Sequence, residues 1–185
     1  MKYIKLLILF LLIIFYSTKL SALDNTVDQL KEGGKIVMIR HGYAPGSGDP
    51  ENFLIEDCST QRNLSKKGIK QSKIIGSFFK ENRIPIGIVL SSEWCRCKDT
   101  AFYAFKNFKT NSFLNSFYDP SFQNNKNEQL RKLKKYIKQW KGDKNLILIT
   151  HYVVISELLN VSSVSGEIII ANKNFNIIGV IKTNY

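Results

Sequence analysis

Three short apolar segments, each followed by polar residues, constrain the fold of this chain most strongly. They are Ile36–Ile39, Ile86–Leu90 and Leu146–Ile149. Short, wholly apolar segments are typical of strands buried on both faces of a parallel sheet, because helices cover both sides of such a sheet. Two later segments, Glu167–Ala171 and Ile177–Ile181, are also predicted to be strands, joined by a polar turn.

Amphipathic helices are predicted between these strands. Ser65 is suited to cap the first, and apolar residues recur at helical spacing after it. Two further helices are predicted around residues 97–108 and 130–140. Strands that alternate with amphipathic helices predict an α/β fold, a three-layer α/β/α sandwich with a largely parallel central sheet.

The first 22 residues have the pattern of a secretory signal peptide. Lys2 and Lys5 precede an apolar run over Leu6–Tyr16, and small residues end the segment at Ala22. We expect cleavage after Ala22, with an uncleaved membrane anchor as the alternative. The folded domain would then be residues 23–185, located in the periplasm or secreted.

The chain is strongly basic, with a net charge of +12. Three of its 27 basic residues lie in residues 1–22, so residues 23–185 carry 24 basic and 15 acidic residues and a net charge of +9. The lysines are scattered, which favours compositional bias over a nucleic-acid site. We therefore expect no nucleic-acid partner, and contact with a membrane only through an uncleaved signal peptide.

The three cysteines are Cys58, Cys95 and Cys97. In an exported protein this number suggests one disulfide and one buried thiol. Cys58 would pair with Cys95 or with Cys97. Cys97 shares the apolar face of its predicted helix, which favours the pair Cys58–Cys95, and three free thiols are the alternative to any disulfide. A zinc site would need a fourth ligand at metal spacing, which the sequence does not supply, so no metal is predicted.

Charged side chains follow the three clearest strands. Arg40 and His41 follow the first, Arg96 the second and His151 the third. Because the carboxyl ends of parallel strands lie at one edge of a sheet, we expect these four residues to converge. Guanidinium groups match the oxygens of a phosphoryl group, and a suitably oriented neutral histidine can attack phosphorus. No Walker-type glycine-rich loop is present, which indicates phosphate chemistry without a nucleotide site.

Four motifs, in order along the chain, resemble those of the histidine phosphatase superfamily, which has the phosphoglycerate mutase-like fold. They are Arg40-His41-Gly42, Leu64–Gln71, Ser91–Ala101 and Thr150-His151. With the signal peptide, the chain is most similar to exported bacterial phosphatases of that superfamily. The resemblance implies that His41 is the nucleophile and that Arg40, Arg96 and His151 hold the phosphoryl group. Arg62 would be either a phosphate contact or a structural residue.

The residue that protonates the leaving group is not evident, because Tyr152 stands where the acid-phosphatase branch has an aspartate. Asp119 is our prediction, since it lies in the region where the mutase-like branch keeps its donor. A proton donor needs its pKa raised by burial, and neighbouring aromatic residues would provide that burial. Ordinary Asp-Pro turn chemistry is the alternative reading of Asp119. The other candidates are Glu93, Glu157 and Glu167.

These observations predict an exported phosphomonoesterase that needs no metal or cofactor and acts on a phosphorylated small molecule. The loops over 43–58 and 111–127 would select the substrate. A phosphomutase is one alternative, although export argues against it. A non-catalytic module that binds phosphate or phosphosugars is the other alternative.

Overall fold

The computed structural model describes residues 25–183, which form a six-stranded sheet with helices on both faces. The strands are β1 (Ile36–Arg40), β2 (Ile86–Ser91), β3 (Lys109–Thr110), β4 (Asn145–Thr150), β5 (Ile168–Ala171) and β6 (Ile177–Ile181). The helices are α1 (residues 25–32), α2 (Lys66–Glu81), α3 (Cys95–Phe105), α4 (Lys126–Gln139) and α5 (Tyr152–Leu159). Short 3₁₀ helices lie at Cys58–Thr60, Ser112–Leu114 and Pro120–Asn125.

The sheet is mostly parallel, as the sequence predicts. Its strand order is β3-β2-β4-β1-β5-β6. The pairs β1 with β4, β2 with β4 and β2 with β3 are parallel, whereas β5 pairs antiparallel with β1 and with β6. The β5–β6 pair is antiparallel because a short polar turn, and not a helix, joins these two strands.

Alternate residues of the central strands face two separate hydrophobic clusters. Ile36 and Met38 of β1 pack with apolar residues of α4 and α5. Val37 and Ile39 pack with apolar residues of α1, α2 and α3. Full burial of each such side chain contributes about 1.5–3 kcal/mol relative to exposure, so β1 and β4 form a rigid platform for the residues that follow them.

The prediction that Ile86–Leu90 is buried on both faces is right only for the second half of β2. Val89 and Leu90 are buried, but Ile88 is 39% exposed. The reason is the length of β3, which has two residues and pairs only with Leu90 and Ser91. The first half of β2 is therefore an edge of the sheet.

The predicted signal peptide, residues 1–22, lies outside the described residues, and its cleavage stays a prediction. Within residues 25–183, no helix has both the length and the apolar composition needed to cross a membrane.

Candidate active site

The carboxyl ends of β1, β2 and β4 border one cavity of about 330 Å³. Arg40 at the end of β1 is in register with Thr150 at the end of β4, so the residues that follow the two strands are neighbours. All the residues expected to act on phosphate line this cavity: Arg40, His41, Arg62, Arg96 and His151. The parallel sheet thus brings together side chains that are more than a hundred positions apart in the chain.

His41 is 2% exposed, and a contact with the next residue fixes the orientation of its ring. Its Nδ1 lies 2.8 Å from the carbonyl oxygen of Gly42. A carbonyl can only accept, so Nδ1 carries the hydrogen and Nε2 keeps its lone pair. Burial, and then the positive charge of Arg96, holds the pKa of His41 well below its usual value. His41 is therefore a neutral imidazole with a free Nε2, which is the state a nucleophile requires.

The guanidinium group of Arg40 is anchored through Nη1. Its Nη1 donates to the carbonyl oxygen of Ser163 at 2.6 Å, and its guanidinium lies 5.2 Å from the ring centroid of Tyr152. Its Nε is buried and has no hydrogen-bond partner among residues 25–183. A buried donor without a partner is costly, and an anion in the cavity would satisfy it.

Arg96 lies in the first turn of α3 and is 3% exposed. Its Nη1 and Nη2 donate to the two carboxylate oxygens of Asp49 at 2.7 and 3.1 Å. Nη1 is also 3.4 Å from the carbonyl oxygen of Arg62. A guanidinium has five N–H groups. The hydrogen on Nε, which has no partner in the described residues, and one on Nη2 remain for a ligand.

Asp49 also lines the cavity, and the sequence does not single it out as a site residue. Its carboxylate, with a side chain 15% exposed, accepts hydrogen bonds from Arg96, from Trp94 Nε1 at 3.0 Å and from the backbone N–H of Arg62 at 3.0 Å. Burial raises the pKa of Asp49, but the bonds and charge of Arg96 outweigh that effect and hold it below its usual value. Asp49 is thus a fixed carboxylate that orients Arg96. From the sequence, the loop that contains Asp49 is predicted to select the substrate. Nothing in the turn Gly48-Asp49-Pro50 indicates that Asp49 binds Arg96.

His151 lies beside His41, with ring centroids 5.5 Å apart. Its Nε2 is 2.9 Å from Ser92 Oγ and 3.5 Å from Cys97 Sγ. Burial, followed by the charge of Arg96, lowers the pKa of His151 well below its usual value. Without an anion in the cavity, His151 is therefore neutral, as His41 is.

Arg62 supports the loop between β1 and α2. Its Nε donates to the carbonyl oxygen of Gly48 at 2.7 Å, and its Nη1 donates to that of Ala44. These contacts agree with the structural alternative for Arg62, although the residue also lines the cavity.

The burial on which the Asp119 prediction depends is wrong. Asp119 lines the mouth of the cavity, but it is exposed, and it caps the 3₁₀ helix Pro120–Asn125 by accepting from Ser121 N and Oγ. Those hydrogen bonds lower the pKa of Asp119. Phe117 turns into the core and leaves the carboxylate in water, so Asp119 fits the Asp-Pro turn alternative.

The other carboxylates considered as proton donors are held by partners outside the cavity. Glu157 pairs with Lys126 on the surface, and Glu167 accepts from the backbone N–H of Val164. Glu93 accepts from Asn115 Nδ2 at 2.6 Å and lines a neighbouring cavity.

Cys58 and Cys95 form a disulfide, the pair that the sequence favours, and Cys97 is a free, buried thiol. The bond joins the loop after β1 to the first residue of α3, beside Arg96. Closing a separation of 37 residues would stabilise the fold by about 4 kcal/mol in the chain-entropy model. In residues 25–183, no group of three or more His, Cys, Asp or Glu side chains is arranged to hold a metal ion.

Solved structures share this architecture over most of the chain. The putative phosphohistidine phosphatase SixA from Agrobacterium tumefaciens has 14% identity and a TM-score of 0.58, covering 82% of this chain and 99% of that one. The protein histidine phosphatase SixA in complex with tungstate has 15% identity and a TM-score of 0.54, with 82% and 94% covered. Phosphoglycerate mutase from Thermus thermophilus has 13% identity and a TM-score of 0.57, with 81% and 99% covered.

The chain has the fold of the histidine phosphatase superfamily. No protein-family model matches the sequence, and no curated protein matches it. At these identities the structural likeness defines the fold, so the activity must be argued from the cavity itself.

Proposed function

We propose that this protein is a phosphomonoesterase that forms a phosphohistidine on His41. One observation carries the proposal: His41 keeps the lone pair of Nε2 in a cavity that Arg40 and Arg96 also line, and the Nε of each arginine is a buried donor without a partner among residues 25–183. A phosphoryl group supplies oxygens for both donors and an electrophilic phosphorus for the nitrogen.

The reaction has two displacements. His41 Nε2 attacks phosphorus, the bond from phosphorus to the ester oxygen breaks, and that oxygen leaves with a proton. Water then attacks phosphorus, the P–N bond breaks, and inorganic phosphate leaves neutral His41 behind. Arg40 and Arg96 stabilise the negative charge on the equatorial oxygens in both steps.

Structures of the same fold support phosphate chemistry. One is a protein histidine phosphatase solved with tungstate, which is a tetrahedral oxyanion like phosphate. Another is a mycobacterial glucosyl-3-phosphoglycerate phosphatase in complex with VO3. The fold also includes a phosphoglycerate mutase, so the mutase alternative needs a direct test.

We further propose that the protein is exported to the periplasm or secreted. Two features support this location, namely the signal-peptide pattern of residues 1–22 and the Cys58–Cys95 disulfide, since disulfides persist in oxidising compartments. Cell fractionation and N-terminal sequencing test it. A mature N-terminus at Leu23 in the exported fraction is expected, and an intact Met1 in the cytoplasmic fraction would contradict it.

Phosphate release from p-nitrophenyl phosphate and from a panel of phosphorylated metabolites tests the activity, with and without EDTA. Turnover in EDTA and an acid-labile, base-stable ³²P-protein are expected, and His41→Asn should lose both. Tungstate binding without any turnover would favour the non-catalytic module. Transfer of the label to a second hydroxyl of the substrate, instead of to water, would favour the mutase.

A further inference from the structure

A chain of hydrogen bonds leads from Glu93 to His151, and we call it the Glu93 chain. Asn115 Nδ2 donates to Glu93 Oε2 at 2.6 Å, Ser92 Oγ lies 3.1 Å from Asn115 Oδ1, and His151 Nε2 lies 2.9 Å from Ser92 Oγ. Ser92 and Glu93 follow β2, Asn115 follows the 3₁₀ helix Ser112–Leu114, and His151 follows β4. Three separate segments of the chain therefore meet at the Nε2 side of the His151 ring.

The partners of Asn115 determine the direction of every bond in the Glu93 chain. Its Nδ2 faces a carboxylate, which only accepts, and its Oδ1 accepts from the backbone N–H of Glu93 at 2.9 Å. The reverse orientation of the amide would place acceptor against acceptor and donor against donor. Oδ1 therefore faces Ser92, and the hydroxyl of Ser92 must donate to it.

With its only proton used on Asn115, Ser92 Oγ can only accept from other groups. The backbone N–H of Trp94 donates to it at 3.3 Å, the thiol of Cys97 is also within hydrogen-bonding reach, and His151 Nε2 lies 2.9 Å away. His151 must therefore carry its hydrogen on Nε2, which is the opposite tautomer to that of His41. The other contact of Nε2 is the thiol of Cys97, which stays protonated because burial raises its pKa to about 12. Nδ1 is then the ring nitrogen of His151 that remains for a ligand.

We propose that the Glu93 chain orients His151 so that Nδ1 meets the substrate, and that His151 is the acid that protonates the leaving oxygen. This inference rests on the proposed phosphatase function. A phosphomonoester with one remaining acidic proton, whose second pKa is about 6, transfers that proton to Nδ1 on binding. His41 attacks, the P–O bond breaks, and the Nδ1 proton moves to the leaving oxygen. Neutral His151 then accepts a proton from the water that attacks the phosphohistidine and gives it to the departing inorganic phosphate, so that both histidines are neutral again.

The charges around His151 explain why its proton should arrive with the substrate. Arg96, Arg62 and Arg40 all disfavour an imidazolium, as burial does, and His41 adds to the effect. A bound phosphoryl dianion compensates these positive charges. The carboxylate of Glu93 stabilises the imidazolium from the far end of the chain. Glu93 thus acts as a positioning residue through Asn115 and Ser92, and it does not line the cavity of His41.

Nuclear magnetic resonance of ¹⁵N-histidine-labelled protein tests the tautomers directly, since the chain has two histidines. In the absence of ligand we expect Nδ1–H for His41 and Nε2–H for His151. Ser92→Ala should shift His151 away from Nε2–H and leave His41 unchanged. Ser91→Ala is the matched control, because Ser91 is equally buried but donates to the carbonyl of Ser92. Nδ1–H on wild-type His151, or no response to Ser92→Ala, would overturn the Glu93 chain whether or not the protein is a phosphatase.

Leaving-group dependence tests the acid role. Glu93→Gln keeps an acceptor for Asn115 but removes the charge, so it should fold even if Ser92→Ala does not. We expect kcat for alkyl phosphates to fall roughly 10-fold and kcat for p-nitrophenyl phosphate, whose leaving group needs little protonation, to fall less than about 2-fold. Equal losses on both substrates would overturn the acid role. Absence of turnover in the wild type would overturn the proposed function and the acid role, but not the tautomers observed by resonance.

Discussion

His41 and His151 are both 2% exposed and have rings 5.5 Å apart, yet their orientations depend on different parts of the chain. The ring of His41 is fixed by the carbonyl of the next residue, Gly42. The ring of His151 is fixed by Ser92 and Cys97, which lie 59 and 54 positions away. A contact one residue away forms with the local backbone, whereas a contact across the fold exists only when β2, α3 and β4 are packed.

This difference suits the two proposed roles. A nucleophilic histidine needs one ring nitrogen with an available lone pair. A backbone carbonyl can only accept, so it keeps the hydrogen on the other ring nitrogen. An acid needs a ring whose proton affinity responds to its surroundings, and side chains from other elements can adjust it. Substitutions elsewhere in the fold should therefore alter His151 more readily than His41.

The largest expected effect separates the two histidines by chemistry. His41→Ala should reduce kcat by roughly 10⁴-fold or more and abolish the ³²P-phosphoenzyme, because no other group replaces its Nε2. His151→Ala should slow turnover but still allow labelling by p-nitrophenyl phosphate. Rapid-quench labelling with both variants measures this. Label in His41→Ala, or none in a folded His151→Ala, would reverse the assignment.

Arg96→Lys should reduce kcat by roughly 10²-fold, although the positive charge is retained. Lysine cannot bind Asp49 and a phosphoryl group at once, because it offers a point charge in place of a planar guanidinium. The charge of Arg96 acts on both histidines. Formation of the phosphohistidine and its hydrolysis should therefore slow together in single-turnover kinetics. A rise in KM alone would mean that Arg96 only binds the substrate.

Asp49→Asn should reduce kcat by roughly 10-fold, because the amide keeps the shape but loses the ion pair that orients Arg96. Asp119→Asn is the matched control, with the same substitution in the same cavity at an exposed carboxylate. It should change kcat by less than about 2-fold on alkyl and aryl phosphates alike. A large, selective loss on alkyl phosphates in Asp119→Asn would restore Asp119 as the acid.

The smallest effect concerns stability, where the two histidines should behave alike. Burial lowers the pKa of both, so below about pH 6.5 the unfolded chain binds protons that the folded protein does not. The free energy of unfolding should therefore fall from pH 7 toward pH 5, and His41→Asn or His151→Gln should each reduce that fall. Asp49 has a lowered pKa, so its protonation should reduce the free energy of unfolding only below about pH 4. Urea unfolding at each pH measures this, and a flat profile between pH 7 and 5 would contradict it.

The sequence by itself determined the features that depend on neighbouring residues. The positions of the five longer strands follow from short apolar segments, and the convergence of Arg40, His41, Arg96 and His151 follows from their places after parallel strands. The partner of His41 Nδ1 is also local, since Gly42 is the next residue. Such features need only the periodicity of the backbone and the rules of parallel sheets.

Only the tertiary structure decided which side chains meet across the fold. Asp49 binds Arg96 from 47 positions away, and Asn115 orients Ser92 from 23 positions away. Asp119 lies among aromatic residues in the sequence, yet it is exposed, because Phe117 turns inward and the carboxylate caps its own 3₁₀ helix. The burial of a charged group and the tautomer of His151 depend on the packing of several elements together, and the order of residues along one segment does not specify that packing.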